Sequence, residues 1–226
     1  METCIRHKVA IIISSLRAPV REIVDAVHGY GGIILHDVVS IRHAEKALEA
    51  GVDGLIAVAA GAGGHAGQMS PFALVGEMRR MFDGPIVLSG AIATGQAILA
   101  AQVMGADLAY IGTRFIASRE ANASDDYKAA LLRARASDIV YSNWFSGVHG
   151  NYVRESIERA GLDPDQMPQG DKKMMSFADG RSKAKAWKDI WGAGQGVGQI
   201  DAIDGAQDIV ERLEREYAAA REEVAA

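Results

Sequence analysis

Three observations predict an α/β fold built on a parallel sheet. Short apolar runs alternate with amphipathic stretches through the first half of the chain; the runs begin 24, 22, 31 and 22 residues apart; and glycines fall where helices should stop and strands begin. Repeating β-α units of that length build parallel sheets. The lack of polar alternation within the runs marks strands buried on both faces.

Taken in order, the strands are expected at Val9–Ile13, Ile33–Leu35, Leu55–Val58, Ile86–Leu88 and Leu108–Ile111. Helical patterns lie between them at about Val20–His28, Ile41–Ala50, Pro71–Met81 and Gly95–Met104. Gly29, Gly32, Gly51, Gly84 and Gly105 punctuate the boundaries, as helix stops and turns require. After Ile111 the pattern changes. A helix is expected at about Asp125–Arg135, an extended piece at Asp138–Tyr141 and a helix at Tyr152–Ala160, ended by Gly161. Leu162–Ser182 reads as an irregular surface excursion, followed by helical pattern at about Ala184–Ile190. The last helix, about Ala206–Arg221, repeats Ile209, Val210, Leu213 and Tyr217 as one buried stripe. Its charge run Glu211–Glu216 reads as a solvated face.

Five strands fall short of the eight that close a parallel barrel. The expectation is a (β/α)8 barrel of TIM type represented by about five C-terminal β-α units, residues 1–120, with a mostly helical extension, 121–226, packed on the same domain. Three upstream β-α units would complete such a barrel. Without them, the sheet stays open or is completed by a partner, and a homo-oligomer is expected because an open edge offers unpaired backbone groups.

Composition narrows the class. Of the 226 residues 49% are hydrophobic and the mean hydropathy is +0.02, ample for a substantial core. A net charge of −5 without a basic stripe argues against nucleic acid as partner. No apolar run approaches the ~20 residues that span a bilayer, and the N-terminus lacks the apolar stretch of a signal peptide. The single cysteine, Cys4, excludes an internal disulfide framework and fits a reducing, cytoplasmic setting. No His, Cys, Asp and Glu set has metal-ligand spacing, and no Gly-x-Ser-x-Gly elbow is present.

Four loops carry the chemistry. Gly61-Ala62-Gly63-Gly64-His65-Ala66-Gly67 follows the third strand, placing one imidazole where parallel α/β folds hold their sites and where a proton is exchanged near neutral pH. Ser89-Gly90-Ala91 and Tyr110-Ile111-Gly112-Thr113 follow the last two strands. In parallel barrels the corresponding loops, with a nearby helix N-terminus, bind phosphate through backbone N–H groups. Arg114 beside them reads more simply as a surface ion pair than as a phosphate ligand. The fourth loop, Trp191-Gly192-Ala193-Gly194-Gln195-Gly196-Val197-Gly198, has its glycines at alternate positions. It reads as a tight loop lying on a ligand or on another loop, and it matches no nucleotide fingerprint. His36 with Asp37 at the end of the second strand, and His149, are secondary candidates. His28 and His43 lie on helical patterns and read as solvent-facing.

Together the His65 loop, Ser89–Gly95, Tyr110–Phe115 and Trp191–Gly194 resemble the nitronate monooxygenases, formerly 2-nitropropane dioxygenases, over about Lys8–Tyr217. The resemblance implies an FMN-dependent barrel enzyme that oxidises alkyl nitronates or nitroalkanes with molecular oxygen. It implies His65 as catalytic base, Gly63 and Gly64 against the isoalloxazine ring, and Ser89, Gly90, Ala91, Tyr110, Ile111, Gly112 and Thr113 around the FMN phosphate. Departures from the family pattern are Ala91 in place of a glycine, which keeps the backbone N–H and whose methyl is tolerated if φ stays negative, Val58 in place of a glutamine, and Asp37 where some members carry lysine. A flavin-dependent enoyl-thioester reductase of the same fold and a non-catalytic half-barrel that oligomerises are the alternatives.

Overall fold

The expected alternation forms a five-stranded parallel sheet in a computed structural model that describes residues 1–167 and 187–226. The strands are β1 (Ile11–Ser14), β2 (Ile33–Val38), β3 (Gly54–Val58), β5 (Ile86–Ser89) and β6 (Leu108–Tyr110), in spatial order β1-β2-β3-β5-β6. The strand omitted from that order, β4 (Gly64–His65), joins β7 (Ile139–Ser142) and β8 (Gly150–Val153) in a small antiparallel sheet ordered β4-β8-β7. Helices are α1 (Glu2–Arg6), α2 (Arg21–His28), α3 (Ile41–Ala50), α4 (Pro71–Arg79), α5 (Gly95–Val103), α6 (Thr113–Ile116), α7 (Asp125–Arg133), α8 (Arg154–Arg159) and α9 (Ala206–Ala225).

The described residues form two units. The first comprises Met1–Ala59, Gln68–Ser89 and Ala100–Tyr110, and the second Ala60–Gly67, Gly90–Leu99 and Ile111–Ala226. In the first unit α2, α3 and α4 pack on the parallel sheet and bury Val24, Val27, Ala44, Ala47, Leu74, Val75 and Met78. Local signals set these helices. The Ser40 hydroxyl caps α3 by accepting from His43 N, Gly51 ends it at φ +90°, and Pro71 opens α4. Strand register puts Ile12, Ile34, His36, Val38, Leu55 and Leu88 on one face and Ile11, Ile13, Ile33, Asp37, Ile56, Leu108 and Tyr110 on the other. Every residue of the central strand β3 is buried.

In the second unit α7, β7, β8 and the 3-10 turn Gln195–Gln199 enclose Ala130, Leu131, Ile139, Val153, Ala193 and Val197. Tyr152 and Val153 were expected at the start of a helix but pair as strand residues with Val140 and Ile139, so α8 begins only at Arg154. Cross-strand pairing of β-favouring side chains overrides a helical period there. The extension therefore carries a sheet as well as helices. Of the irregular stretch expected at Leu162–Ser182 and the helix expected at Ala184–Ile190, residues 168–186 lie outside the described residues.

Candidate functional site

The loop after β3 is folded by its glycines. Gly61 and Gly64 have φ of +83° and +72°, a region closed to most side chains. Gly63 is needed for another reason: a Cβ there would lie 2.8 Å from Gly194 N and 3.0 Å from Thr113 Oγ1. The loop expected to lie on a ligand or a neighbouring loop thus packs against the histidine loop. Gly61 O accepts from both Gln195 N (2.8 Å) and Ala91 N (3.2 Å), and Gly194 N donates to Thr113 Oγ1 (2.9 Å). From the other side β8 pairs Gly64 with Asn151 and His65 with Gly150, while the buried Asn151 amide donates to Ala62 O at 2.6 Å. His149 contributes its carbonyl, which accepts from Ala66 N, and a ring stacked on Tyr141.

His65 emerges half-buried from this framework. Its Nε2 lies 3.0 Å from Ser146 Oγ, and its ring meets Trp187 edge-on at 5.2 Å. Burial holds its pKa below the ordinary value of 6.5, so the imidazole is neutral near pH 7 and able to accept a proton. Trp187 also approaches Tyr152 (5.3 Å) and has a φ of +68°, a strained conformation for a bulky residue. Ser146, Asn151 and Trp187 were not singled out as site residues, although the loop holding the first two was read through His149 as a secondary candidate. Each lies more than 80 residues from His65.

The two expected phosphate turns are arranged as follows. Ser89 and Tyr110 end neighbouring strands in direct register. Beyond Ser89 the chain turns through Gly90 (φ +144°) and Ala91 (φ +55°). Ala91 thus carries its methyl at a positive φ, so the condition for tolerating it is not met; its amide N–H donates a hydrogen bond to Gly61 O. That amide is therefore committed to the protein. The backbone N–H groups of Gly90, Ile92 and Ala93, and those of Gly112 and Thr113 at the start of α6, have no acceptor among the described residues. A Cβ on Gly112 would meet nothing within 4 Å, so this turn borders open space, and Ile111 before it is half-buried. Arg114 is not a surface residue: 2% exposed, it donates to Asp204 Oδ2 (2.5 Å) and to Ala202 O.

In the first unit, His36 lies buried with Nδ1 2.8 Å from Ser14 Oγ, and burial lowers its pKa. Asp37 is on the opposite sheet face. Its Oδ1 is buried without a hydrogen-bond partner among the described residues, and burial raises its pKa against the lowering effect of a hydrogen bond from Ser15. His28 is tied to Asp53 and His43 to Ser40. No helix among the described residues is long and apolar enough to cross a membrane.

Comparison with known proteins places these features in context. The family profile for nitronate monooxygenase matches residues 1–216. A nitronate monooxygenase of Paraburkholderia phytofirmans is 27% identical over 227 residues, covering 94% of this chain and 62% of the relative. Rv1533 of Mycobacterium tuberculosis is 26% identical over 96% of this chain and 61% of its own length. The chain thus spans about three-fifths of the curated relatives it matches. Among solved structures, a nitroalkane oxidase from Streptomyces ansochromogenes superimposes with a TM-score of 0.78 at 22% identity, covering 99% of this chain and 68% of the other. FabK from Thermotoga maritima gives a TM-score of 0.77 at 24% identity, with coverage of 99% and 72%. These two likenesses concern the fold.

Proposed function

Because the chain belongs to the nitronate monooxygenase family, we propose that it carries the flavin-binding loops and the proton acceptor of an enzyme that oxidises alkyl nitronates and nitroalkanes with molecular oxygen. The observation that carries the reading is the set of backbone N–H groups without acceptors among the described residues after β5 and β6, at Gly90, Ile92, Ala93, Gly112 and Thr113. Unpaired backbone donors at the start of a helix suit a phosphate, and the open space beside Gly112 suits its approach. We assign FMN to these turns, with Ser89, Gly90, Tyr110, Ile111, Gly112 and Thr113 around its phosphate. Ala91 shapes the turn rather than donating to it. Gly64 is free to approach the ring, whereas Gly63 serves loop packing.

The flavin, when bound, supplies an acceptor for the electron pair of a carbanion-like substrate. The chain's own contribution is to hold the reactants and to manage a proton. A neutral nitroalkane must lose its α-proton: the C–H bond breaks, the proton passes to the His65 imidazole, and the electron pair remains on the substrate as the nitronate. A pre-formed nitronate skips that step and needs His65 only as a polar neighbour. The lone Cys4 supports a reducing, cytoplasmic setting, and association between copies is part of the proposal.

The test combines flavin retention and turnover. Gly112→Leu is expected to raise the FMN dissociation constant about tenfold, a loss near 1.4 kcal/mol; an unchanged constant would remove this turn from the phosphate site. His65→Asn is expected to slow turnover of a neutral nitroalkane by about 10²-fold or more and that of its nitronate far less. Equal losses on both would end the base assignment. NADH consumption with an enoyl thioester, without nitronate-dependent oxygen uptake, would move the reading to a reductase.

A further inference from the structure

Ser146 stands at a junction that decides which nitrogen of His65 carries the proton. Its Oγ lies 2.9 Å from Val148 O, 3.0 Å from His65 Nε2 and 3.3 Å from Tyr152 OH. A serine hydroxyl has one hydrogen to give and two lone pairs to offer. Val148 O is a carbonyl oxygen and can only accept, so the Ser146 hydrogen goes there. Tyr152 is fully buried, and a buried phenol needs an acceptor for its hydrogen; Ser146 Oγ is the acceptor within reach among the described residues. Burial keeps that phenol protonated by raising its pKa. With its hydrogen committed to Val148, Ser146 Oγ meets His65 Nε2 as an acceptor, and the bond requires a hydrogen on Nε2.

We infer that Ser146 is a positioning residue which holds His65 as the Nε2–H tautomer and leaves Nδ1 as the atom that takes the substrate proton. The second half of this statement rests on the reading of His65 as base. Nδ1 has no hydrogen-bond partner among the described residues, so its lone pair is available, whereas Nε2 is occupied by its own hydrogen. The neighbouring Trp187 ring, perpendicular at 5.2 Å, packs beside the imidazole, and the β4–β8 pairing of His65 with Gly150 fixes the backbone that carries it. The residue is not catalytic in its own right; it acts through the imidazole.

The tautomer is read directly by two-bond 1H–15N correlation spectra of the 15N-labelled chain above the imidazole titration, with the His65 signals assigned by their loss in His65→Asn. The expected result is one species, protonated on Nε2 and unprotonated on Nδ1. Ser146→Ala is expected to introduce the Nδ1–H form as a second species, and Ser146→Thr, which keeps the hydroxyl, to restore the single one. An Nδ1–H species in the unaltered chain, or a single unchanged species in Ser146→Ala, overturns the inference. In turnover, Ser146→Ala is expected to lower kcat for a neutral nitroalkane about tenfold, with KM and nitronate turnover little changed. If the spectra come out as expected while His65→Asn leaves nitroalkane turnover intact, the assignment of Nδ1 as base falls together with the proposed role of His65, and the tautomer assignment stands on the spectra alone.

Discussion

At the scale of single residues, burial moves two titrations in opposite directions. A half-buried imidazole resists protonation, so His65 titrates below 6.5. The acid limb of kcat/KM for a neutral nitroalkane is therefore expected to lie below that value, and a limb above it would show that His65 does not govern the step. A buried carboxyl resists ionisation, so Asp37 titrates above 3.8. The folded state binds that proton more tightly than the unfolded chain does. Its cost to stability is absent at low pH, grows as pH rises past 3.8, and is complete above the raised folded value. Asp37→Asn removes the charge and should raise the melting temperature at pH 8, with a gain that vanishes near pH 3. Equal gains at both pH values would show that charge is not the cause. The histidine loop, the glycines and the strand-end turns were legible because they are contiguous motifs. Ser146, Asn151 and the orphan Oδ1 of Asp37 were not, because burial and long-range partners define them.

The secondary-structure elements show how close packing uses small residues. Helix α5 begins at Gly95, where a Cβ would lie 2.1 Å from Tyr217 N on α9, and Gly95 N donates to Glu216 Oε2 (2.9 Å). Glu216 also accepts from Arg212, which in turn binds Asp201. The charge run read as a solvated face is thus partly a set of struts, a distinction that spacing along one helix does not carry. Gly95→Ala should force the two helices apart and destabilise the protein by about 2–3 kcal/mol, seen in urea unfolding; a change below ~0.5 kcal/mol would mean that the backbones give way without strain. Arg114 makes a similar case. Asp204→Ala leaves a buried guanidinium unpaired and should cost about 3 kcal/mol, since Asp204 itself is partly exposed. The five parallel strands, β7 and helices α2, α3, α4, α5, α7 and α9 were read to within a few residues from hydrophobic period alone, whereas α1, α6, β4 and β8 were not anticipated. The failure at Tyr152–Val153 came where a partner strand, not the local period, chose the conformation.

For the whole molecule, the parallel sheet is the feature of consequence. Among the described residues, strands β1 and β6 each pair with a single neighbour, so both present unpaired backbone groups there. On the face away from α2, α3 and α4, Ile11, Ile13, Leu108 and Tyr110 are 46–60% exposed. Burying such a side chain is worth about 1.5–3 kcal/mol, and several together approach the cost of bringing two chains together. The 226-residue chain is therefore expected to associate through this face at micromolar concentration, and sedimentation velocity should show a concentration-dependent dimer. Ile13→Lys with Leu108→Lys should return it to a monomer. A species that stays monomeric to about 100 μM would refute this association.

Sequence alone determined the β-α alternation, the glycine-shaped histidine loop and the two turns after the last parallel strands. These depend on local period, backbone freedom and contiguous residue types, which the order of residues states directly. Only the tertiary structure decided that Gly63 makes room for Gly194, that Ala91 spends its amide on Gly61, and that Ser146 meets His65. Those are matters of which distant groups share one hydrogen or one van der Waals gap, and they arise only when the chain has closed upon itself.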